Sequence, residues 1–167
     1  MTNTTSRMTR VHPPKKILLS ETPRFGFGKK PEPEPHHKQA GPRHCTVLIV
    51  DDEASVLQLT NTIVSRMGHG TKTAKNGHEA LELFKLGGID LIISDYDMPK
   101  MDGGRLLIEA KKIDPKVRFI CQTGRPDNKR EITLMEHGAL FILHKPYSPA
   151  ELRSVVNYAL SNLPESK

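Results

Sequence analysis

Tryptophan is absent from this 167-residue chain, cysteine occurs twice, and no apolar run exceeds five residues. Two cysteines, Cys45 and Cys121, cannot build the multi-bridge framework that staples a small secreted fold. The longest apolar runs, Val47 to Val50 and Ala139 to Leu143, fall far short of the roughly 20 residues that a bilayer-spanning helix needs, so no membrane span is expected. Near the N-terminus the one apolar run is Ile17-Leu18-Leu19. It is too short for the core of a secretory signal, and a cytoplasmic protein is the expectation. No glycine-rich phosphate loop is present either. Gly26-Phe27-Gly28-Lys29-Lys30 follows no strand pattern and opens no helix. His36, His37, His44 and Cys45 lack the spacing of a zinc site.

Charge is distributed unevenly. Residues 1–44 hold nine basic and three acidic side chains, which account for the whole formal net charge of +6. The other 123 residues are balanced, with sixteen of each sign. Seven of the 13 prolines also fall in the first 44 residues, including the alternating Pro31-Glu32-Pro33-Glu34-Pro35. Such a segment buries too little apolar surface to offset the entropy lost on folding. It is expected to be a disordered basic tail, with polyproline character near 31–35. The folded domain is expected over 45–167.

Within that domain short apolar runs alternate with helical patterns. Thr46 to Val50 is a continuous run suited to a strand buried on both faces. Val56, Leu59, Ile63, Val64 and Met67 then form a helical stripe, stopped at Gly68. A weak strand over Gly70 to Ala74 leads through Asn76-Gly77 to a second helix bearing Ala80, Leu81 and Phe84. Ile89 to Ser94 is a third strand. Asp102 opens a third helix with Leu106, Leu107, Ala110 and Ile113 inward. Val117 to Cys121 makes a fourth strand, Asn128 to Glu136 a short polar helix, and Leu140 to His144 a fifth strand. The last helix has Ser148 as N-cap, Pro149 at its first position and Glu151 in a capping box. Its stripe is Leu152, Val155, Val156, Ala159, Leu160 and Leu163. Five strands alternating with five helices predict a doubly wound, five-stranded parallel α/β sheet.

In open parallel sheets chemistry gathers at the carboxyl ends of the strands. Those ends carry Asp51-Asp52-Glu53, Asp95-Tyr96-Asp97, Thr123 and Lys145. Clustered carboxylates repel one another unless protonated or bound to a cation. An oxygen-only donor set with open positions suits Mg²⁺, which retains waters and leaves room for phosphate. A lysine and a hydroxyl beside it can hold phosphoryl oxygens. The set fits transient phosphoryl capture on a carboxylate better than nucleotide binding. Taken alone, Asp51-Asp52 also reads as a helix N-cap with a first-turn acid.

These residues resemble the receiver domain of two-component response regulators. Asp51-Asp52 after the first strand, Asp95 after the third, Thr123 after the fourth and Lys145-Pro146 after the fifth carry the resemblance. So do Asp95-Tyr-Asp-Met-Pro-Lys-Met-Asp-Gly103, Ala74-Lys-Asn-Gly-His-Glu-Ala-Leu81 and His137-Gly-Ala139. The resemblance covers about 46–163 and implies a flavodoxin-like fold. It implies that Asp95 is the phosphoacceptor, fed by a histidine kinase or a histidine phosphotransfer protein. Asp52 and Asp95 would bind Mg²⁺ through their side chains, Asp97 through its backbone carbonyl, and Asp51 through a water. Lys145 would pair with Asp95 and then with a phosphoryl oxygen. Thr123 would donate to the phosphoryl group and move toward it, shifting the surface of helix four, strand five and helix five where a protein target binds. The implied protein is a signalling protein rather than an enzyme acting on a separate substrate, and nothing after the fifth helix suggests an effector, so a single-domain type is expected.

Departures from the pattern accompany the resemblance. Ile142 stands where the family usually has a switching aromatic, and Phe141 should point to the opposite face. Asp97 and Arg125 put charge beside the site, where they would tune access of water. Two competing readings differ in class. Asp95-Tyr96-Asp97 is also similar to haloacid-dehalogenase-type phosphatases, although Met98-Pro99 and the lack of a cap domain argue against that. The other is a constitutive binding or adaptor module whose basic tail contacts nucleic acid, membrane or an acidic protein. No folded reader accompanies the tail, so sequence-specific DNA binding is not expected.

Overall fold

A computed structural model describes residues 44–161. The expected tail, except for His44, lies outside the described residues, as do Leu163 and Pro164. The element order is β1 (Thr46–Val50), α1 (Ala54–Arg66), β2 (Gly70–Ala74), α2 (Gly77–Lys85), β3 (Leu91–Asp95), α3 (Gly103–Ile113), β4 (Arg118–Thr123), α4 (Asn128–Glu136), β5 (Phe141–His144) and α5 (Pro149–Ser161). All four strand pairings are parallel. The strand order is β2-β1-β3-β4-β5.

Period-two alternation divides the core. Leu48, Val50, Ile92, Phe119 and Cys121 pack with α2, α3 and α4 through Ala80, Phe84, Leu106, Leu107 and Leu134. Val47, Ile49, Leu91, Ile93 and Ile120 pack with α1 and α5 through Leu57, Ile63, Leu152 and Val156. Both faces of β1 and β3 are therefore buried, which is why their sequences are continuous apolar runs. Each fully buried aliphatic side chain contributes about 1.5–3 kcal/mol by leaving water.

Local signals act as expected at several boundaries. Glu151 N donates to Ser148 Oγ (3.2 Å), and Ser148 N donates to Glu151 Oε2 (2.7 Å), a complete capping box. Asn76 and Asp102 cap α2 and α3 through their side chains. Gly68 takes φ +88 just after α1, a left-handed turn that glycine adopts without a Cβ clash.

Three expectations are corrected. In α1, Leu59 is 53% exposed while Thr60 is fully buried. The inward stripe is turned to Leu57, Thr60, Ile63 and Val64, because the Thr60 hydroxyl is paired with Tyr147 Oη (3.2 Å) and so tolerates burial. Ile113 is 47% exposed; it is the last residue of α3, where the chain turns through Asp114. Strands β3, β4 and β5 start one or two residues later than the apolar runs. Just before β3, Asp90 Oδ2 accepts from Thr46 N (2.8 Å) and Asp90 N donates to Thr46 O (2.9 Å).

Candidate functional site

The parallel sheet brings the ends of β1, β3, β4 and β5 to one rim. Asp51 directly follows β1 and is 2% exposed; Asp95 ends β3 at 6%. Lys145, just after β5, reaches both, with Nζ 2.8 Å from Asp51 Oδ2 and 2.7 Å from Asp95 Oδ1. Its backbone N–H donates to Thr123 O (2.8 Å), which registers the lysine loop against the end of β4. Asp51 Oδ1 accepts from Glu53 N (2.9 Å), so both Asp51 oxygens are engaged. Asp95 Oδ2 and the exposed Asp52 carboxylate have no protein partner among the described residues.

Thr123 ends β4 at 1% exposure. Its hydroxyl is held in a local turn, donating to Arg125 O (3.2 Å) and accepting from Arg125 N (3.1 Å). Arg125 itself is exposed. Asp97 lies two residues past Asp95, more than a third exposed, with Arg130 Nη1 at 3.7 Å from Oδ1. The structure thus gathers Asp51, Asp95 and Lys145 in direct contact, and leaves Asp52, Asp97 and Thr123 around them with other partners or none.

Two carboxylates sharing one ammonium leave surplus negative charge. Burial pushes the Asp95 carboxyl above its ordinary range. The hydrogen bond and charge of Lys145 draw it down, and Asp51 and Asp97 push it up further. Burial also draws Lys145 down, but its hydrogen bonds to Asp51 and Asp95 outweigh that and hold it above its usual value. The stability supplied by charged Lys145 is therefore present below its ordinary value of 10.5 and lost as pH rises past its raised one.

For Asp95 the sign is reversed. A carboxyl whose folded pKa is raised binds more protons folded than unfolded, so stability falls as pH climbs from the ordinary 3.8 to the raised value. Ionised Asp95 accordingly weakens the fold at neutral pH. Asp95→Asn is expected to melt at a higher temperature than the wild type at pH 7, with the gain shrinking as pH falls toward 3.8. Melting curves across pH check this, and an unchanged or lowered midpoint at pH 7 contradicts it.

Oxygen is the only ligand type among the acids at this rim. Among the described residues no three His, Cys, Asp or Glu side chains are grouped tightly enough to enclose a metal. The all-oxygen donor set at the rim suits a hard cation that keeps its waters and accepts backbone carbonyls, as Mg²⁺ does. Asp52 and Asp95 Oδ2 are the carboxylate oxygens left available; Asp51, with both oxygens committed, fits a water-mediated role.

The chain around Asp95 is tightly packed. Gly103 N donates to Tyr96 O (3.0 Å), and a Cβ on Gly103 would stand 2.3 Å from Asp95 O. Lys100, in the same loop, takes φ +69, a region that a residue with a Cβ enters at some cost. Ile142 packs on the α3–α4 side and Phe141 on the α1–α5 side, the alternation expected of them. Phe141 sits edge-on to Tyr158, with centroids 5.1 Å apart.

Two groups beside the site carry no sequence signal of their own. Tyr147 Oη accepts from Gln122 Nε2 (2.7 Å) and meets the Thr60 hydroxyl, linking the residue before Thr123 to one just past Lys145. Arg130 lies over the Tyr96 ring, 4.2 Å from its centroid. Each depends on a tertiary approach between separate elements.

No described helix is long and apolar enough to cross a membrane. Residues 47–157 match the family described as response regulator receiver domain. The chain is 41% identical over 114 residues to probable transcriptional regulator ycf27 of Guillardia theta, covering 68% of this chain and 44% of that protein. It is 37% identical over 117 residues to the protein of that name from Cyanidium caldarium, covering 70% and 47%. The chain thus spans about half the length of the curated relatives it matches. A response regulator receiver domain protein from Clostridium thermocellum superposes with a TM-score of 0.67 at 34% identity, covering 70% of this chain and 94% of that one.

Proposed function

Because the chain belongs to the response regulator receiver domain family, we propose that it accepts a phosphoryl group on Asp95 and that the modified domain switches its binding to a protein partner. Receiver domains are signalling proteins that act through phosphorylation. The observation that carries the assignment to Asp95 is the arrangement at the rim. A buried carboxylate holds one oxygen on Lys145 and presents the other without a partner among the described residues.

The donor we propose is a phosphohistidine on a histidine kinase or phosphotransfer protein. The Asp95 carboxylate attacks phosphorus and a P–O bond forms. The P–N bond breaks, its electron pair goes to the imidazole, and the imidazole takes up a proton. Lys145 stays with the acceptor and offsets charge on the transferred group. Thr123 leaves its turn with Arg125 to donate to a phosphoryl oxygen. Mg²⁺ would be held by Asp52, Asp95 and the Asp97 carbonyl, with Asp51 acting through water; bound there, it neutralises phosphoryl charge. We place this exchange in the cytoplasm.

Thr123 movement would carry the β4–α4 connection with it. The affected surface is the face of α4, β5 and α5, where Ile132, Met135 and Tyr158 are each more than half exposed. With Ile142 in place of an aromatic on β5, coupling runs through Thr123. A second reading rests on the charge distribution: all +6 of net charge lies in residues 1–44, as a basic tail on a binding module would have it. The folded unit, in either reading, begins near Cys45.

Amide NMR maps with and without a phosphoryl mimic test the proposal. The expected shifts cluster at the ends of β1, β3, β4 and β5 and extend over α4, β5 and α5. A constitutive module gives no shifts beyond the first residues around Asp95, and its binding falls steeply with salt through counterion release.

A further inference from the structure

Lys145 is committed to Asp51 and Asp95, which leaves Asp97 as a third carboxylate near the acceptor. Arg130, on α4, answers it. Its guanidinium carbon lies 4.2 Å from the Tyr96 ring centroid, and its Nη1, buried and without a hydrogen-bond partner among the described residues, is 3.7 Å from Asp97 Oδ1. Tyr96 and Asp97 are the two residues after Asp95. One side chain from α4 therefore fixes both residues that leave the acceptor, by stacking on the first and by charge on the second. At 3.7 Å the contact with Asp97 is too long for a hydrogen bond and close enough for electrostatic attraction.

We propose that Arg130 is a positioning residue which offsets the Asp97 charge, so that an anionic phosphoryl donor meets one fewer uncompensated carboxylate at Asp95. The inference rests on the assignment of Asp95 as acceptor. Without Arg130 the Asp97 carboxylate is released toward the rim. There it opposes both ionised Asp95, the nucleophilic form, and the approaching dianion. Because Arg130 belongs to α4, the same contact makes the acceptor loop sensitive to the position of that helix.

The test is the rate of labelling of the full chain by acetyl phosphate at saturating Mg²⁺, which removes differences in metal affinity. Arg130→Gln is expected to label about fivefold more slowly, the effect of about one partly screened charge pair. Arg130→Met keeps the bulk over Tyr96 without the charge and should match it, which guards against a folding defect in either variant. Arg130→Lys restores the charge and should recover most of the rate. Whatever Asp97→Asn does by itself, adding Arg130→Gln or Arg130→Met to it should produce no further slowing. Wild-type rates in the neutral variants, or slowing that persists in the Asp97→Asn background, overturns the inference. A wild-type chain that takes up no label contradicts the acceptor assignment instead.

Discussion

Incubated with Mg²⁺ and a small phosphodonor, the wild-type chain is expected to gain one acid-stable, base-labile phosphoryl group, and Asp95→Asn none. The expectation follows from what each acid at the rim can do. Asp51 is 2% exposed and has both oxygens bonded, one to Lys145 and one to Glu53 N; it cannot attack without giving up a partner. Asp52 is exposed and has no cation beside it among the described residues, so no described side chain there offsets the charge of an arriving dianion. Asp95 alone combines burial, an ammonium at 2.7 Å and an oxygen without a protein partner. An Asn side chain keeps an acceptor for the lysine, but its amide oxygen is a poor nucleophile and yields no mixed anhydride. Intact-mass measurement before and after mild base gives the result directly. Equal labelling of Asp95→Asn refutes the assignment, and peptide mapping then identifies the group used instead.

The second large effect is expected at Gly103, which carries no reactive group of its own. An added Cβ would lie 2.3 Å from Asp95 O, 3.0 Å from Tyr96 Cα and 3.1 Å from Asp95 C. All three atoms are backbone, so no side chain can swing aside. Gly103→Ala must push α3 away from the end of β3 or bend the chain at Asp95 itself, and a loss of about 3 kcal/mol is expected, at the upper end for overpacking. Phosphoryl uptake should fall with it, since Asp95 moves when its carbonyl moves. Gly68→Ala is the informative comparison. Nothing lies within 4 Å of a Cβ there, but φ is +88, so only the left-handed backbone is penalised, by about 1–2 kcal/mol. Urea unfolding measures both. A Gly103→Ala midpoint no lower than that of Gly68→Ala means the close approach of α3 to β3 does not constrain the acceptor.

What the sequence made legible depended on how local the cause was. The runs ending at Asp51 and Asp95 are apolar because both sheet faces are covered, and a parallel sheet then delivers those ends to one rim. Asp95, Thr123 and Lys145 could therefore be grouped before any coordinate was known, as could the capping of α5 by Ser148 and Glu151. The rotation of α1 was hidden, because Thr60 reads as polar and Leu59 as apolar. Only the distant Tyr147 hydroxyl makes the inward threonine tolerable. Arg130 on Tyr96 was hidden for the same reason: a basic residue on a polar helix is ordinary until α4 packs beside the β3–α3 loop. The turn that the Thr123 hydroxyl closes on Arg125 leaves no mark in the sequence, because it depends on how the chain bends after β4.

Cys45 and Cys121 are the only two thiols in the chain, and they are 1% and 0% exposed. Neither is in a disulfide, and burial holds the Cys121 thiol up to about 12. A thiol reagent attacks the thiolate and needs access, so Cys121 cannot react from the native state. Its side chain is packed between β4 and the layer of α2, α3 and α4, so exposure requires that layer to lift from the sheet. The rate at which a thiol dye modifies Cys121 is therefore a built-in clock for opening of that half of the core. Run with and without phosphodonor, that clock reads whether the donor changes the opening rate, with no substitution made in the protein.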